Sequence, residues 1–314
     1  MNTLFVDQPG MLTTVQDLGR PAARRYGVPV GGAMDPLAFR VANLLVGNPE
    51  SAAGLECTLT GPDLSFAADT WIAVCGAAVR GVPEAKPVCV RTGEKLSLRQ
   101  LRKGCRAYLA VAGGLEVPTV LGSAATYTRG QFGGYEGRAL RARDRLSIGP
   151  SSTSYRDLEY WSLAAEFLPR ELNDPEVRFV PGPQWSWFAA EALDQFQLEA
   201  YRVLPQSDRM GVRLAGPPVT RATRLEMNSE PVSAGAIQVP PDGQPIVLMA
   251  DCQTIGGYPK VGHVIAVDLP IVAQLRSGET VRFRECTLEE AQHLLLEREA
   301  DLAKLRAGLE LKRA

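Results

Sequence analysis

The chain has 314 residues, 45% hydrophobic and 22% charged, with 34 Lys and Arg set against 35 Asp and Glu. A net charge of −1 leaves no basic field for nucleic acid or an anionic membrane surface. The longest apolar run, around 71–79, is far short of the ~18 residues a membrane-spanning helix needs. The opening MNTLFVDQPG lacks the basic and apolar regions of an export signal, so a cytoplasmic protein is expected.

Six cysteines, at 57, 75, 89, 105, 252 and 286, form no C-x-x-C pair and read as reduced, mostly buried thiols. With His263 and His293 as the only histidines, a His-rich metal site is excluded and no metal ligands are assigned. Thirty Gly and 23 Pro suit a turn-rich, mainly β chain.

In chain order, Thr3–Val6 reads as a short strand, and TTVQDLGR at 13–20 as a structured polar loop in which Asp17 and Arg20 could pair. GVPVGGAMD at 27–35 is a second glycine-rich loop. It leads into a helix with Asp35 as N-cap, Pro36 at the first helical position and Leu37, Val41, Leu44 and Leu45 on one face. Gly47 and Pro49 stop that helix, and Asn43 on it is either an exposed polar residue or a hydrogen-bonding one facing the loops. Strands are expected at Trp71–Cys75, Val88–Val90, Lys95–Leu98, Ala107–Ala112 and Arg145–Ile148. Ser123 lacks a nucleophile-elbow pattern and has no histidine nearby in sequence, which argues against a nucleophile. Residues 151–174 read as a connector with some helical character, and Glu191–Ala200 as a helix. Ser207–Gly211 forms a polar loop cluster; strands follow at Ala236–Val239 and His263–Val267. Thr287–Arg313 is a long helix opened by a Thr287/Glu290 capping box, with leucines at near-heptad spacing suited to packing or to contact between subunits.

The stretch PIVLMADCQTIGGYP at 245–259 carries the strongest chemical signal. A short β-branched strand delivers Asp251, Gln253 and Thr254 onto a Gly256–Gly257 turn, followed by Tyr258 and Lys260. A tight turn whose polar residues satisfy its own backbone has the same pattern. A rigid strand feeding glycines that let a ligand approach the backbone is equally a way to build a site. A loose echo between 108–148 and 245–283 hints at two similar halves. There is no G-x-x-x-x-G-K-[ST] phosphate loop, and no Met is followed by Lys, so no biotin-acceptor lysine lies on this chain.

Several stretches taken together resemble one family. They are TTVQDLGR at 13–20, GVPVGGAMDPLAFRVANLLVGN at 27–48, YLAVAGGLEVPTVLGS at 108–123, SDRMGVRL at 207–214, IQVPPDGQPIVLMADCQTIGGYPK at 237–260, and the Asp268–Leu269 region. From about residue 8 to 285 the chain is similar to the family of 5-oxoprolinase C subunits, also described as KipA-like, allophanate hydrolase subunit 2-like or biotin-dependent carboxyltransferase-like. The resemblance implies a mainly β protein of two cyclophilin-like β-barrel subdomains, at 1–155 and 156–286, with a few short helices and a C-terminal helix at 287–314. It implies two partners, a KipI-like B subunit together with a third, the A subunit. The three jointly open 5-oxo-L-proline to L-glutamate with ATP.

More distant relatives suggest a carboxyltransferase acting on urea with biotin supplied in trans, or a non-catalytic regulator of a KipI-like protein. No cofactor is expected on this chain itself. Gly31 stands where many relatives carry Ser or Cys, and His263 where a small residue is usual. Under the enzyme reading, Asp251, Gln253 and Thr254 are the expected catalytic groups for a small cyclic amide or urea-like substrate. Gly256, Gly257, Tyr258 and Lys260 are expected to bind it, with Gln16, Asp17, Arg20 and Asp35 on a facing wall.

Overall fold

A computed structural model describes residues 2–151, 163, 164, 167, 174–223 and 225–313. The connector expected at 151–174 and the subdomain boundary expected at 155/156 lie mostly outside the described residues. The chain forms two compact units, one of residues 1–20, 31–171 and 301–314, the other of 21–30 and 172–300.

The first unit contains β1 (Asn2–Gln8), β2 (Leu12–Gln16), α1 (Pro36–Leu45), β3 (Gly54–Thr58), β4 (Asp63–Phe66), β5 (Thr70–Val79), β6 (Pro87–Val90), β7 (Leu96–Ser97), β8 (Leu101–Val111), β9 (Leu115–Glu116) and β10 (Arg145–Ile148). They make two five-stranded sheets, β7-β4-β1-β10-β9 and β2-β3-β8-β5-β6. Strand alternation explains the core. Leu4, Val6, Leu64, Phe66, Leu146 and Ile148 turn inward from one sheet to meet Val15, Leu55, Ile72, Val74, Leu109 and Val111 of the other.

The second sheet is apolar on both faces. The small residues Ala73, Cys75, Ala110 and Ala112 on its outer side accept Val41, Leu44 and Leu45 of α1. Double-sided burial is why β5 and β8 read as continuous apolar runs rather than alternating ones. The helix begins as its sequence dictates. The Asp35 carboxylate accepts from the Ala38 N–H at 2.9 Å, and Pro36 follows.

The second unit holds β11 (Glu176–Pro181), α2 (Ala190–Leu198), β12 (Tyr201–Val203), β13 (Gly211–Ala215), β14 (Glu230–Pro231), β15 (Ala236–Gln238), β16 (Ile246–Leu248), β17 (Ile255–Gly256), β18 (Lys260–Val264), α3 (Leu269–Gln274) and β19 (Thr280–Glu285). Seven of these strands close a barrel in the order β11-β18-β15-β16-β13-β12-β19, while β14 and β17 pair as a separate ribbon. Phe196 of α2 stacks on Phe283 with ring centroids 4.6 Å apart and meets Phe179 edge-on at 5.3 Å, so aromatic packing joins helix to barrel.

The last helix, α4 (Leu288–Arg313), begins where expected. Thr287 Oγ1 accepts from the Glu290 N–H at 3.1 Å, while the Glu290 carboxylate accepts from Arg284. Ala291 and Leu294 pack on Ile265, Val267 and Cys286 of the second unit. Leu302 and Leu309 are buried with the α1 core of the first. The fold is thus mainly β with few helices, as the sequence implies.

Two expectations are corrected. Residues 13–16, expected as the start of the 13–20 loop, lie in β2. Its polar Thr13, Thr14 and Gln16 are buried, which erases the alternation that marks a half-exposed strand. The strand expected at His263–Val267 instead runs Lys260–Val264. At its far end the Asp268 N–H returns to the Ile265 carbonyl at 3.0 Å, a turn that leads into α3.

Candidate functional site

The expected site residues fall into two clusters, one in each unit. In the first, Asp17 directly follows β2 and its carboxylate gathers three donors: the Gly19 N–H at 2.7 Å, the Ser123 hydroxyl at 2.7 Å and the Ala124 N–H at 2.6 Å. Such an anion is a fixed organiser of the 17–20 and 120–126 loops. The Ser123 Oγ in turn accepts from the Ala125 N–H at 3.0 Å. Arg20 is buried, donates to the carbonyls of Val120 and Ala125 and lies over the Phe132 ring.

Gln16 is fully buried; its Nε2 donates to Thr14 Oγ1 at 3.0 Å and the Thr126 carbonyl at 3.3 Å, and its Oε1 has no hydrogen-bond partner. The 31–35 loop closes on these residues. The Ala33 N–H donates to the Asp17 carbonyl at 2.9 Å. Gly32 has φ +84°, and a Cβ there would lie 2.6 Å from the Gly19 nitrogen, so the contact requires glycine. Asp35 serves as helix cap, and its N–H donates to Tyr108 Oη at 2.8 Å. Asn43, ambiguous in sequence, is buried. Its amide donates to the Glu50 and Ala52 carbonyls and accepts from Asn48, holding the 48–52 turn.

A concavity of about 660 Å³ opens beside Asp17, Leu18 and Gly19, walled by Glu116–Thr119 and Gly122. A second, of about 750 Å³, lies on the outer face of the first sheet among Asp7, Asp63, Lys95, Arg143 and Arg145.

In the second unit the 245–260 stretch runs off β16 to a turn, into the ribbon and back into β18. Asp251 is only 4% exposed. Arg209 Nε donates to its Oδ2 at 2.8 Å and Nη2 to its Oδ1 at 3.0 Å, and the Asp251 N–H donates to the Arg209 carbonyl at 2.9 Å. The loop therefore presents a bidentate, buried ion pair rather than a free carboxylate. Arg209 sits in the Ser207–Gly211 cluster, where Asp208 accepts from the Met210 and Gly211 N–H groups.

Gln253 Nε2 donates to Gln238 Oε1 at 3.2 Å. Thr254 is half-buried, and its carbonyl accepts from the Val232 N–H at 3.0 Å. Gly256 pairs with Glu230 and Ile255 with Pro231. Gly257 and Tyr258 are exposed. Lys260 is buried with its ammonium against Glu230, and burial lowers it from its ordinary value. Gln184 completes this group, donating from Nε2 to Glu230 Oε1 at 3.1 Å and accepting from the Lys260 N–H at 3.2 Å.

Sequence reasoning missed Arg209, Glu230, Gln184 and Gln238. The signal for Arg209 was the SDRMG motif itself; the others carry no local pattern. His263 is placed by its Nδ1 facing the Val264 carbonyl at 2.9 Å, with Nε2 3.2 Å from Ser233 Oγ. All six cysteines are free thiols, and burial pushes Cys57 up to about 12 and Cys252 to about 11. Among the described residues no helix is long and apolar enough to cross a membrane.

Chemically, the second cluster sets an amide pair and an ammonium–carboxylate pair against a glycine ribbon, groups suited to a small polar molecule with carbonyl and carboxylate functions. Residues 26–285 match the family described as carboxyltransferase domain, subdomain A and B. The chain is 40% identical to the 5-oxoprolinase C subunit of Escherichia coli K12 over 294 residues, covering 92% of this chain and 93% of that protein. It is 38% identical to the 5-oxoprolinase C subunit of Haemophilus influenzae, covering 93% and 94%. The crystal structure of the K. lactis urea amidolyase superposes with a TM-score of 0.89 at 33% identity over 96% of this chain. This chain spans only 20% of that much longer one.

Proposed function

Since the chain belongs to the carboxyltransferase subdomain A-and-B family, in which the C subunits of 5-oxoprolinases are its relatives, we propose that it is the C subunit of a cytoplasmic, ATP-dependent 5-oxoprolinase. In this reading it acts with a KipI-like B subunit and with a third, the A subunit, to convert 5-oxo-L-proline to L-glutamate. ATP is handled by one of those partners, and this chain supplies substrate-facing groups. The observation that carries the reading is the 40% identity extending over 93% of the E. coli protein's own length, a match of whole chain to whole chain.

The geometry favours the second-unit cluster as the substrate end. Lys260 is the cation for a substrate carboxylate, Gln253 lies within hydrogen-bond reach of Gln238, the cross-strand partner of Lys260, and Gly256 pairs in the ribbon with Glu230, which holds the ammonium. Asp251 acts there through Arg209, as a pair that fixes the loop, before any role as a base. The TM-score of 0.89 to the K. lactis urea amidolyase supports a second reading, a carboxyltransferase that receives the carboxyl group from biotin carried on another chain.

The test is to purify the chain with its co-expressed partners and supply 5-oxoproline with ATP, or urea with carboxybiotin, in parallel. Glutamate formed only when all three chains are present supports the first reading. Carboxylated urea without glutamate replaces it with the second.

A further inference from the structure

Among the described residues of the second unit, one buried side-chain polar atom has no partner. Gln238 is 2% exposed, and its Oε1 is taken by Gln253, yet its Nε2 is enclosed and makes no hydrogen bond. A buried amide donor left unpaired is a standing cost that folded chains seldom keep without a use.

Its surroundings suggest the use. Gln238 on β15 partners Lys260 on β18 across the antiparallel ladder, at a bulge where the register shifts between Ile237 and Gln238. Glu230, which holds the Lys260 ammonium, pairs in the β14–β17 ribbon with Gly256, and Gly256 lies against Gln238 Nε2, so the two side chains meet the same ribbon. An amide donor and an ammonium are thus neighbours on the barrel wall.

The β14–β17 ribbon covers them. Gly256 of the ribbon lies so close that a Cβ there would be 2.6 Å from Gln238 Nε2. Glu230, on the other ribbon strand, holds the Lys260 ammonium. The ribbon comprises two register pairs outside the barrel, and one of its residues, Pro231, has no N–H to give. Ile255 on it is 58% exposed and the adjoining Tyr258 45%. A two-stranded ribbon of this size is marginal by itself and opens more easily than the barrel beneath it.

We propose that lifting the β14–β17 ribbon uncovers a paired recognition site in which Gln238 Nε2 donates to the carbonyl oxygen of a cyclic amide and Lys260 holds the carboxylate on the same ring. The step is one of exchange: Lys260 trades the Glu230 carboxylate for the ligand's, and the unpaired Gln238 donor gains its missing acceptor. A lactam acid carries both functions, so the inference rests on the proposed 5-oxoprolinase reading and names the residues that read its substrate.

The test measures binding of three probes to the full chain and to its complex with the partner subunits. They are 5-oxoproline, proline (carboxylate without ring carbonyl) and 2-pyrrolidinone (carbonyl without carboxylate). Wild type is expected to prefer 5-oxoproline over both. Gln238→Met, an apolar near-isostere, is expected to weaken 5-oxoproline binding at least tenfold. Its Tm is expected to be unchanged or raised, and in the complex KM should rise far more than kcat falls. Lys260→Gln is expected to weaken 5-oxoproline but not 2-pyrrolidinone.

The proposal is overturned if Gln238→Met binds 5-oxoproline as wild type does, or if its Tm falls, which would make the amide structural. It is equally overturned if wild type binds none of the probes in either form. Should the complex bind 5-oxoproline with these dependences yet release no glutamate, the recognition site stands and the 5-oxoprolinase reading falls.

Discussion

Asp251 and Arg209 show how a residue's partners decide what it can do. Both are buried and joined by two charge-assisted hydrogen bonds. Removing one member strands the other charge in the interior, at a cost of about 3–5 kcal/mol, whereas replacing both with apolar residues of like volume costs far less. Arg209→Met and Asp251→Asn should therefore each destabilise the chain by that amount in chemical denaturation, and the double change Arg209→Met/Asp251→Leu should recover most of it. Loss of turnover in Asp251→Asn at wild-type stability would instead make the carboxylate a working base. His263 offers a second residue-scale test. Desolvation of the ring by the groups packed round it, with Arg24 nearby, lowers its pKa below the ordinary 6.5 against the opposing pull of the Val264 carbonyl, and because the residue as a whole is exposed, solvent screening keeps the effect small. The folded chain thus disfavours the imidazolium. The stability this contributes is complete above about pH 6.5 and is lost as pH falls below that value. Between pH 8 and 5 the Tm of wild type should fall more steeply than that of His263→Asn; parallel curves would remove His263 from the pH dependence.

At the scale of elements, the β14–β17 ribbon and the barrel should differ in opening free energy. Glu230 ties the ribbon to Lys260 and Gln184. Glu230→Gln should speed hydrogen exchange at the Ile255 and Gly256 amides while leaving β15 and β16 protected. The aromatic centre of the second unit is the opposite case: Phe196→Ala removes a ring packed on Phe179, Tyr201 and Phe283 and should cost about 3–5 kcal/mol in denaturation. Elements with local signals were legible in the sequence. The Asp35-Pro36 start of α1, the Thr287 cap of α4 and the apolar runs of β5 and β8 all stand where their residues place them. β2 was not legible, because Thr14 and Gln16 are polar residues buried by tertiary hydrogen bonds. β18 was displaced because Lys260, Gly262 and His263 disguise a strand. The 251–260 stretch was recognisable as a candidate site by its residue types. Its partners were not, since Arg209, Glu230 and Gln238 reach it from other strands and loops, and only the closed barrel brings them together.

At the scale of the molecule, the family match covers residues 26–285 and the fold superposes on a urea amidolyase segment, so architecture alone does not select the reaction. What would select it is the substrate chemistry of the proposed barrel site and the company the chain keeps. The most direct measurement is glutamate release from 5-oxoproline and ATP by the co-purified three-chain complex, compared with the same preparation lacking this chain. The account predicts release that depends on this chain and falls at least tenfold, at subsaturating substrate, in Gln238→Met. Glutamate release undiminished without the chain, or none from the intact complex, would contradict it.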